Sequence, residues 1–180
     1  MGRQLCYRDS GVTRMVTSLA DISPLASISP LADLEASVRG ARIVIGAYSV
    51  IDSFVKIKPA GGEGDVIIGC SSYINSGCVL YSGNGIAIGD HVSIAANCTL
   101  AAVNHEYADK DMLIQRQGFR AGKGGILIED DVWIGANCVL LDGARLRKGC
   151  VVGAMSLVRG EVAPYTVNAG NPLQTIGYRR

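Results

Sequence analysis

The sequence carries an aliphatic residue at every sixth position over long stretches, and this period constrains the fold more than any other feature. An ordinary strand alternates with a period of two and a helix has a period near 3.6, so a period of six indicates a short flat face followed by a sharp turn. The runs with this spacing are Ile22, Ile28, Leu34; Ile45, Ile51, Ile57; Ile68, Ile74, Leu80; Ile88, Ile94, Leu100; and Ile128, Ile134, Leu140, Leu146, Val152, Val158.

Three such faces close one triangular coil of about 18 residues, and stacked coils bury their aliphatic ladders against neighbouring coils. We therefore predict a parallel β-helix of about five coils over residues 20–175, with phase slips near 39–44, 58–66 and 81–86. A chain of antiparallel hairpins does not explain so strict a period. Glycine directly follows the aliphatic position at 46, 69, 89, 135 and 153. We interpret these glycines as corners that require a positive φ.

The composition fits an aliphatic core, because hydrophobic residues make up 48% of the chain and aromatic residues only 6%. Cys78, Cys98, Cys138 and Cys150 fall where the repeat needs a small inward residue, and the sequence has no CxxC pair. Buried free thiols are therefore favoured over disulfides or zinc ligands, and no metal is expected.

Charge and hydropathy restrict the location and the partners of the protein. No apolar run approaches the roughly 18 residues that span a membrane, and no signal-type segment opens the chain, so a cytoplasmic protein without a membrane span is expected. Residues 1–19 are expected to be a flexible segment and 176–180 a tail.

The net charge of +1 divides into −4 before residue 143 and +5 from there to the end. A basic end can hold a phosphorylated ligand, although a solvated positive edge explains it equally well. No nucleic-acid partner is expected.

The six-residue period stops after Leu100 and resumes at Ile128, with "AAVNHEYADKDMLIQRQGFRAGKGG" between them. Charged residues cannot pack inside the prism, so this stretch is predicted to leave it as an external loop over about 104–125. Long loops inside a compact repeat are usually functional or disordered. His105, one of two histidines, lies at the root of this loop, whereas His91 occupies an ordinary corner and is expected to face solvent.

The segment "IEDDVWIGANCVLLDGARLRKGCVVGAMSLV" resembles the repeat signature of hexapeptide-repeat acyltransferases. The resemblance implies a left-handed β-helix, whereas the general crossover rule favours a right-handed one. It also implies a homotrimer, acetyl-CoA as co-substrate, and a short C-terminal tail or helix after the prism. Within the family, "YINSGCVLYSGNGIAIGDHVSIAANCTLAAVNH" is similar to the galactoside and maltose O-acetyltransferases and to related polysaccharide O-acetyltransferases.

In that branch an asparagine precedes the active-site histidine by thirty residues, and Asn75 stands in this position relative to His105. The resemblance implies that the two form the acceptor-side catalytic pair, with His105 as general base for a sugar hydroxyl. Histidine suits this role because its pKa lies near working pH.

The same resemblance implies a donor-side site. Trp133 and Gly135 match the wall of the acetyl-CoA groove, the backbone N–H of Ala136 is placed near the thioester, and Ala154 near the extended arm. Arg159 is expected to meet the phosphates, although the sequence here departs from the Thr-Lys pair of many family members.

A second departure concerns the acceptor. Where the galactoside enzymes have an acidic pair for sugar recognition, this chain has Ser82 and Gly83. We therefore expect O-acetylation of a sugar or a surface-polysaccharide precursor other than a galactoside. The alternatives are an N-acetyltransferase on an amino sugar, a metal-dependent lyase on the same prism, and a purely structural hexapeptide protein. The lyase resembles gamma-class carbonic anhydrases, whose centre has three histidines, whereas this chain has two.

Overall fold

The structure, a computed structural model, describes residues 20–180; the segment predicted to be flexible, 1–19, lies outside the described residues. Strands of two to five residues wind into stacked triangular coils, and one short helix lies in the external loop. The strands of coils 1 to 4 are β1 (Ala20–Ile22), β2 (Ser27–Ile28), β3 (Asp33–Leu34), β4 (Ile43–Ile45), β5 (Val50–Ile51), β6 (Lys56–Lys58), β7 (Val66–Ile68), β8 (Tyr73–Ile74), β9 (Val79–Tyr81), β10 (Ile86–Ile88), β11 (Ser93–Ile94) and β12 (Thr99–Ala101). After helix α1 (Ile114–Gln117), coils 5 to 7 contain β13 (Ile126–Ile128), β14 (Trp133–Ile134), β15 (Val139–Leu141), β16 (Arg145–Leu146), β17 (Val151–Val152), β18 (Leu157–Val158), β19 (Glu161–Val162), β20 (Thr166–Ala169) and, last, β21 (Gln174–Tyr178).

Every third strand joins the same parallel sheet, so the prism has three faces. Face 1 begins with β1, face 2 with β2 and face 3 with β3. We call the turn from face 1 to face 2 the first corner, the turn from face 2 to face 3 the second corner, and the turn back to face 1 the third corner. The described residues form six complete coils and a two-faced seventh, more than the about five expected.

Within residues 20–180, the third corner contains the insertions that vary the length of the coils. On face 2, successive coils are separated by 23, 23, 20, 40, 18 and 16 residues, as the register pairs show. The predicted phase slips fall at this corner, and so does the external loop, between Ala101 and Ile126. The repeat therefore keeps two corners uniform and uses the third for insertions.

The aliphatic ladders predicted from the period form the core. From coil 2 upward the inward residues are buried, and Ile51, Ile74 and Leu140 have no exposed surface. Burying such side chains contributes roughly 1.5–3 kcal/mol each. In coil 1, Ile22 is 36% exposed, because no described residue covers that end of the prism.

The four cysteines predicted to be small inward residues are fully buried and free. Cys78, Cys98 and Cys138 stack in consecutive coils, and each thiol donates to a carbonyl of the next coil at 3.1 Å. Burial raises the pKa of the Cys150 thiol to about 11, so this thiol stays neutral.

The glycines at 46, 69, 89, 135 and 153 have a different cause from the predicted one. None has a positive φ; that conformation occurs two residues later, as at Tyr48 after Gly46 and Asn137 after Gly135. A Cβ on Gly46 would lie 2.6 Å from the carbonyl carbon and oxygen of Gly69 in the next coil. Close stacking of coils therefore requires these glycines, and our interpretation from φ was wrong.

The segment expected to be a short tail or helix is a strand. β21 turns back after Gly170 and pairs with β20 in antiparallel orientation. The hydroxyl of Thr175 donates to Asn168 Oδ1 at 2.7 Å, and the backbone N–H of Arg179 donates to Tyr165 O at 2.8 Å. This strand adds a hydrogen-bonded edge to face 2 at the end of the prism.

Candidate functional site

Four of the seven predicted site residues lie at the second corner. Asn75 follows β8 in coil 3, Gly135 and Ala136 follow β14 in coil 5, and Ala154 lies in the turn after β17 in coil 6. Trp133 projects from face 2 beside this corner, and 55% of its surface is exposed. The structure therefore brings Asn75 and the predicted donor-side residues other than Arg159 onto one edge of the prism.

The other two predicted residues lie at the third corner. His105 follows β12 at the start of the external loop, and Arg159 follows β18. Face 3, roughly 16 Å wide at about 3.3 Å per strand residue, separates this corner from the second one. Within one chain the structure does not bring His105 and Asn75 together.

The root of the external loop is a short antiparallel pairing that fixes the backbone of His105. His105 bridges Phe119, while the N–H of Glu106 donates to Gly118 O at 3.0 Å and that of Arg120 to Asn104 O at 2.9 Å. The rings of His105 and Phe119 have centroids 5.0 Å apart and are tilted by 38°. The imidazole is thus exposed to solvent on one side and supported by an aromatic ring on the other.

Phe119 also fixes the position of the loop root against the prism. A Cβ on Gly61, at the third corner below, would lie 3.3 Å from Phe119 Cζ. The loop therefore folds down over the third corner of coils 2 and 3, and His105 lies near the level of coils 3 and 4.

Asp142 anchors the returning end of the loop, a role that sequence reasoning missed. Asp142 is 5% exposed, and its carboxylate accepts hydrogen bonds from the backbone N–H of Lys123 at 2.7 Å and of Gly125 at 2.8 Å. The side-chain amide of Asn84 donates to the same carboxylate at 3.1 Å. Arg145 adds a second clamp, because its guanidinium donates to Gly125 O at 2.7 Å. The six-residue period gives no signal for these contacts.

Glu106 and Asp109 organise the loop backbone. Glu106 Oε1 accepts from the N–H of Tyr107 at 2.8 Å and of Ala108 at 3.0 Å, and these bonds lower the pKa of the Glu106 carboxyl. Asp109 Oδ1 accepts from the N–H of Asp111 at 2.9 Å. Both carboxylates therefore hold the tip of the loop.

Ser82 and Gly83 cannot hold acidic side chains in this fold. Ser82 has no exposed surface, and its hydroxyl has no hydrogen-bond partner among the described residues. A Cβ on Gly83 would lie 2.5 Å from Val103 Cβ and 2.7 Å from the carbonyl carbon of Ala102. The acidic pair expected of galactoside enzymes is therefore sterically excluded here.

The lower part of the second corner is polar and internally bonded. The hydroxyl of Ser76 and the backbone N–H of Ser53 donate to the Asp52 carboxylate and lower its pKa. The side-chain amide of Asn75, just above, donates to Ile94 O at 2.7 Å. This bond leaves the amide oxygen of Asn75 as an acceptor at the surface.

The upper part of the second corner presents unpaired backbone donors. In coils 4, 5 and 6, no residue within 20–180 accepts a hydrogen bond from the N–H of Ala96, Ala136 or Ala154. Successive strands of a sheet are about 4.8 Å apart, so these three donors form a row along the edge of the prism. Such a row can bind a ligand that carries several carbonyl oxygens.

Part of the basic charge near the C-terminus is already neutralised. Arg147 pairs with Glu129 and Glu161, which raises the pKa of its guanidinium, and Arg179 pairs with Asp131 at 2.9 Å. Arg159 makes no ion pair with any described residue. It lines a cavity of about 520 Å³ with Leu157, Gly160, Glu161, Asn171, Pro172 and Leu173.

Among residues 20–180, no group of three or more His, Cys, Asp or Glu side chains is arranged to hold a metal ion. His91 lies exposed at the first corner with φ 57°, as expected. No helix in the described part of the chain is long and apolar enough to span a membrane.

The three parallel faces and the six-residue ladders define the class of the protein as a hexapeptide β-helix. Residues 125–160 match the family model described as bacterial transferase hexapeptide (six repeats). A variant of the N-acyltransferase AntD of Bacillus cereus, solved with dTDP-4-amino-4,6-dideoxyglucose and coenzyme A, superposes with a TM-score of 0.75. It is 25% identical, and the match covers 91% of this chain and 85% of that one. The helix is left-handed, as the resemblance implied.

The chain is similar to the hexapeptide-repeat transferases, and the match to the family model lies in residues 125–160. It is 31% identical over 112 residues to a galactoside O-acetyltransferase of Lactococcus lactis, which covers 62% of this chain and 52% of that protein. It is also 30% identical over 118 residues to a probable acetyltransferase of Mycobacterium tuberculosis, covering 66% of this chain and 39% of the relative. The chain therefore spans about half or less of the length of these relatives.

Proposed function

We propose that the protein is an acetyl-CoA-dependent O-acetyltransferase that acts on a sugar or a surface-polysaccharide precursor. The observation that carries the proposal is the row of unpaired N–H donors at the second corner, at Ala96, Ala136 and Ala154. The galactoside O-acetyltransferase and the probable acetyltransferase, which align with 62% and 66% of this chain, support it.

The donor row suits the arm of acetyl-CoA. This arm is extended and carries two amide carbonyls and the thioester carbonyl, which all accept hydrogen bonds. The exposed indole of Trp133 and the close approach of Gly135 to coil 6 leave an apolar wall beside the row. The arm lies along the second corner, with Ala154 binding an amide carbonyl and Ala136 binding the thioester.

The phosphates lie toward the C-terminal end of the prism. The upper coils carry the excess of positive charge. Arg159 makes no ion pair with a described residue, so its guanidinium can bind a phosphate group. Guanidinium groups bind phosphate oxygens through paired N–H donors, which makes Arg159 the proposed phosphate contact.

The site is completed by a neighbouring copy of the chain. His105 and Arg159 lie at the third corner, whereas the donor row and Asn75 lie at the second corner. Rotation about an axis parallel to the prism keeps each residue at its height and brings the third corner of one copy beside the second corner of the next. A cyclic trimer closes this head-to-tail contact. It places His105, near the level of coils 3 and 4, beside Asn75 and Ala96.

In this arrangement His105 is the general base. A sugar hydroxyl is too weakly acidic to attack a thioester unaided, and a positioned imidazole accepts its proton as the bond to the acetyl carbon forms. The amide oxygen of Asn75 accepts from a second acceptor hydroxyl and orients the sugar. The pairing of the loop root with Phe119 holds the imidazole in place during the reaction.

The acceptor differs from a galactoside, because Ser82 and Gly83 leave no room for the acidic pair of those enzymes. An amino sugar is the second candidate. It is favoured by the structural similarity to AntD, an N-acyltransferase solved with an amino sugar nucleotide. Thiol release from acetyl-CoA with matched hydroxyl and amino sugars separates the two.

The first experiment compares wild-type protein with His105→Ala in this thiol-release assay. General-base catalysis contributes about 10²–10⁴ in rate, so kcat falls by that factor while the assembly stays folded. His91→Ala is the matched control, because His91 is the other histidine and lies exposed at the first corner. Turnover by His105→Ala at the wild-type rate would remove this base from the mechanism.

Co-expression of His105→Ala with Asn75→Ala tests the shared site. If each site takes these residues from two copies, mixed trimers regain activity, to about a quarter of the wild-type level under random mixing. If both residues act within one chain, the mixture stays as inactive as its components.

A further inference from the structure

Each N–H group of the donor row belongs to a peptide group whose carbonyl oxygen accepts a hydrogen bond from a fully buried thiol. The S···O distance is 3.1 Å in all three cases. The pairs, with the thiol first, are Cys78 and Ala95 O, Cys98 and Gly135 O, and Cys138 and Gly153 O. The residue after each of these carbonyls is a member of the row, Ala96, Ala136 or Ala154.

The geometry of a peptide group links the thiol to the outside of the prism. A planar trans peptide points its N–H and its C=O in opposite directions, so a thiol that holds the carbonyl toward the core holds the N–H outward. A hydrogen bond to the carbonyl also polarises the peptide group, which makes its N–H a stronger donor. The thiol therefore acts on the ligand-facing side of the corner without touching a ligand.

The first corner shows the same arrangement together with an outer acceptor. The hydroxyl of Ser49 donates to Gly69 O at 2.6 Å. The N–H of the same peptide group, that of Cys70, donates to the Asp90 carboxylate of the next coil at 2.6 Å. The hydroxyl of Ser72 repeats this pattern one coil higher. An inner donor and an outer acceptor thus act on one peptide group at the first corner, whereas at the second corner the outer acceptor is left to a ligand.

Cys98 and Cys138 keep the protons that they donate. The neighbouring Cys138 thiol lowers the pKa of Cys98, but the Cys78 thiol and burial raise it to about 11. The Cys98 thiol and burial raise the pKa of Cys138. Both side chains are therefore neutral S–H donors near neutral pH.

We propose that Cys98 and Cys138 are positioning residues for acetyl-CoA, an inference that rests on the proposed function. Cys138 holds the peptide group that carries the N–H of Ala154, which binds an amide carbonyl of the arm. Cys98 holds the peptide group that carries the N–H of Ala136, which binds the thioester carbonyl. Neither thiol touches the co-substrate.

Replacing each thiol by alanine removes the inner donor, and calorimetric titration of the purified assembly with CoA and with acetyl-CoA measures the effect. The loss of one modest hydrogen bond behind the N–H raises Kd by about three- to tenfold. CoA has the amide carbonyls but no thioester carbonyl. Cys138→Ala therefore weakens the binding of both ligands, whereas Cys98→Ala weakens the binding of acetyl-CoA alone.

Serine is the rescue variant, because its hydroxyl takes the donor role that Ser49 has at the first corner. Cys138→Ser and Cys98→Ser are expected to bind both ligands within about twofold of wild type. Cys150→Ala is the matched control, since Cys150 is equally buried but lies at the first corner. Its loss lowers the free energy of unfolding and leaves the Kd of both ligands unchanged.

The position accepts other small side chains, which keeps the test informative. Ala32 occupies it in coil 1 and Val55 in coil 2, where Val55 is fully buried. If Cys138→Ala does not assemble, Cys138→Val removes the same donor while filling the space, and the same rise in Kd is expected.

The outcomes separate this role from the proposed function. If wild-type protein neither binds the two ligands nor releases thiol, the proposed function is wrong and the positioning role with it. If wild-type protein binds and turns over acetyl-CoA, but the alanine variants lose only stability or serine restores no affinity, the thiols merely pack the core. The positioning role is then wrong and the acetyltransferase stands.

Discussion

Replacing Gly46 by alanine tests the close stacking of the coils. The added Cβ would lie 2.6 Å from the carbonyl group of Gly69 and 2.8 Å from the N of Cys70, which are backbone atoms and cannot rotate away. Restoring an ordinary contact of 3.4 Å requires the two coils to separate by about 0.8 Å at this corner.

The separation would break a hydrogen bond as well. The N–H of Gly46 donates to Ile68 O at 2.8 Å, and a shift of about 0.8 Å takes this distance beyond hydrogen-bond range. Overpacking costs about 1–3 kcal/mol, and the lost bond adds about 0.5–1.5 kcal/mol. We therefore expect Gly46→Ala to lower the free energy of unfolding by about 2–4 kcal/mol.

Urea unfolding followed by far-UV circular dichroism measures this change, and Gly160→Ala is the control. A Cβ on Gly160 would have no atom within 4 Å, and this glycine has no positive φ. Alanine there is therefore expected to raise the free energy of unfolding by about 0.4–1 kcal/mol, because it lowers the conformational entropy of the unfolded chain. A Gly46→Ala protein as stable as wild type, or two variants with equal losses, would refute the reasoning from close approach.

Two further substitutions test contacts around the candidate site. Asp142→Ala leaves the N–H groups of Lys123 and Gly125 without their acceptor, which costs about 1–3 kcal/mol and speeds amide hydrogen exchange at the loop end; unchanged exchange there would contradict this anchor. Ser76→Ala removes the main cause of the lowered pKa of Asp52, so that pKa rises toward its ordinary value in a carbon-13 NMR titration. Because the folded-state pKa is the lower one, the stability that Asp52 contributes is present above its unfolded pKa and is lost as the pH falls. A pKa of Asp52 that stays low in Ser76→Ala would contradict this assignment.

The period of six made the architecture predictable, because each inward position is set by the same three-faced geometry. It also located the loop, since the interval from Leu100 to Ile128 is too long for a face and too charged for the core. The period could not reveal the anchor at Asp142, because that carboxylate bonds residues 17 and 19 positions earlier through loop geometry alone. The cause of the glycines was also hidden, since positive φ and close approach both favour glycine.

The row of unpaired donors corresponds to a sequence feature that is separate from the six-residue period. Aligned by coil, Asp90 lies at the first corner, whereas Ala96, Ala136 and Ala154 lie at the second. A carboxylate at a corner can satisfy the N–H of a neighbouring coil, and alanine cannot. In coils 4 and 5, where Asp90 and Asp130 lie at the first corner, comparing the two corners by side-chain type therefore distinguishes the edge that bonds to itself from the edge left open to a ligand.

The thirty-residue spacing between Asn75 and His105 acquires a structural meaning from the coil lengths. The coil that starts on β8 is 20 residues long, so one full turn from Asn75 leads to Ala95 at the same corner. The remaining ten residues follow face 3 and pass the third corner, which places His105 one face away. In a prism of this kind, a separation of one and a half coils cannot bring two side chains together within a chain. Such a pair can meet only where the second corner of one copy faces the third corner of another, so the spacing itself favours a catalytic site built between subunits.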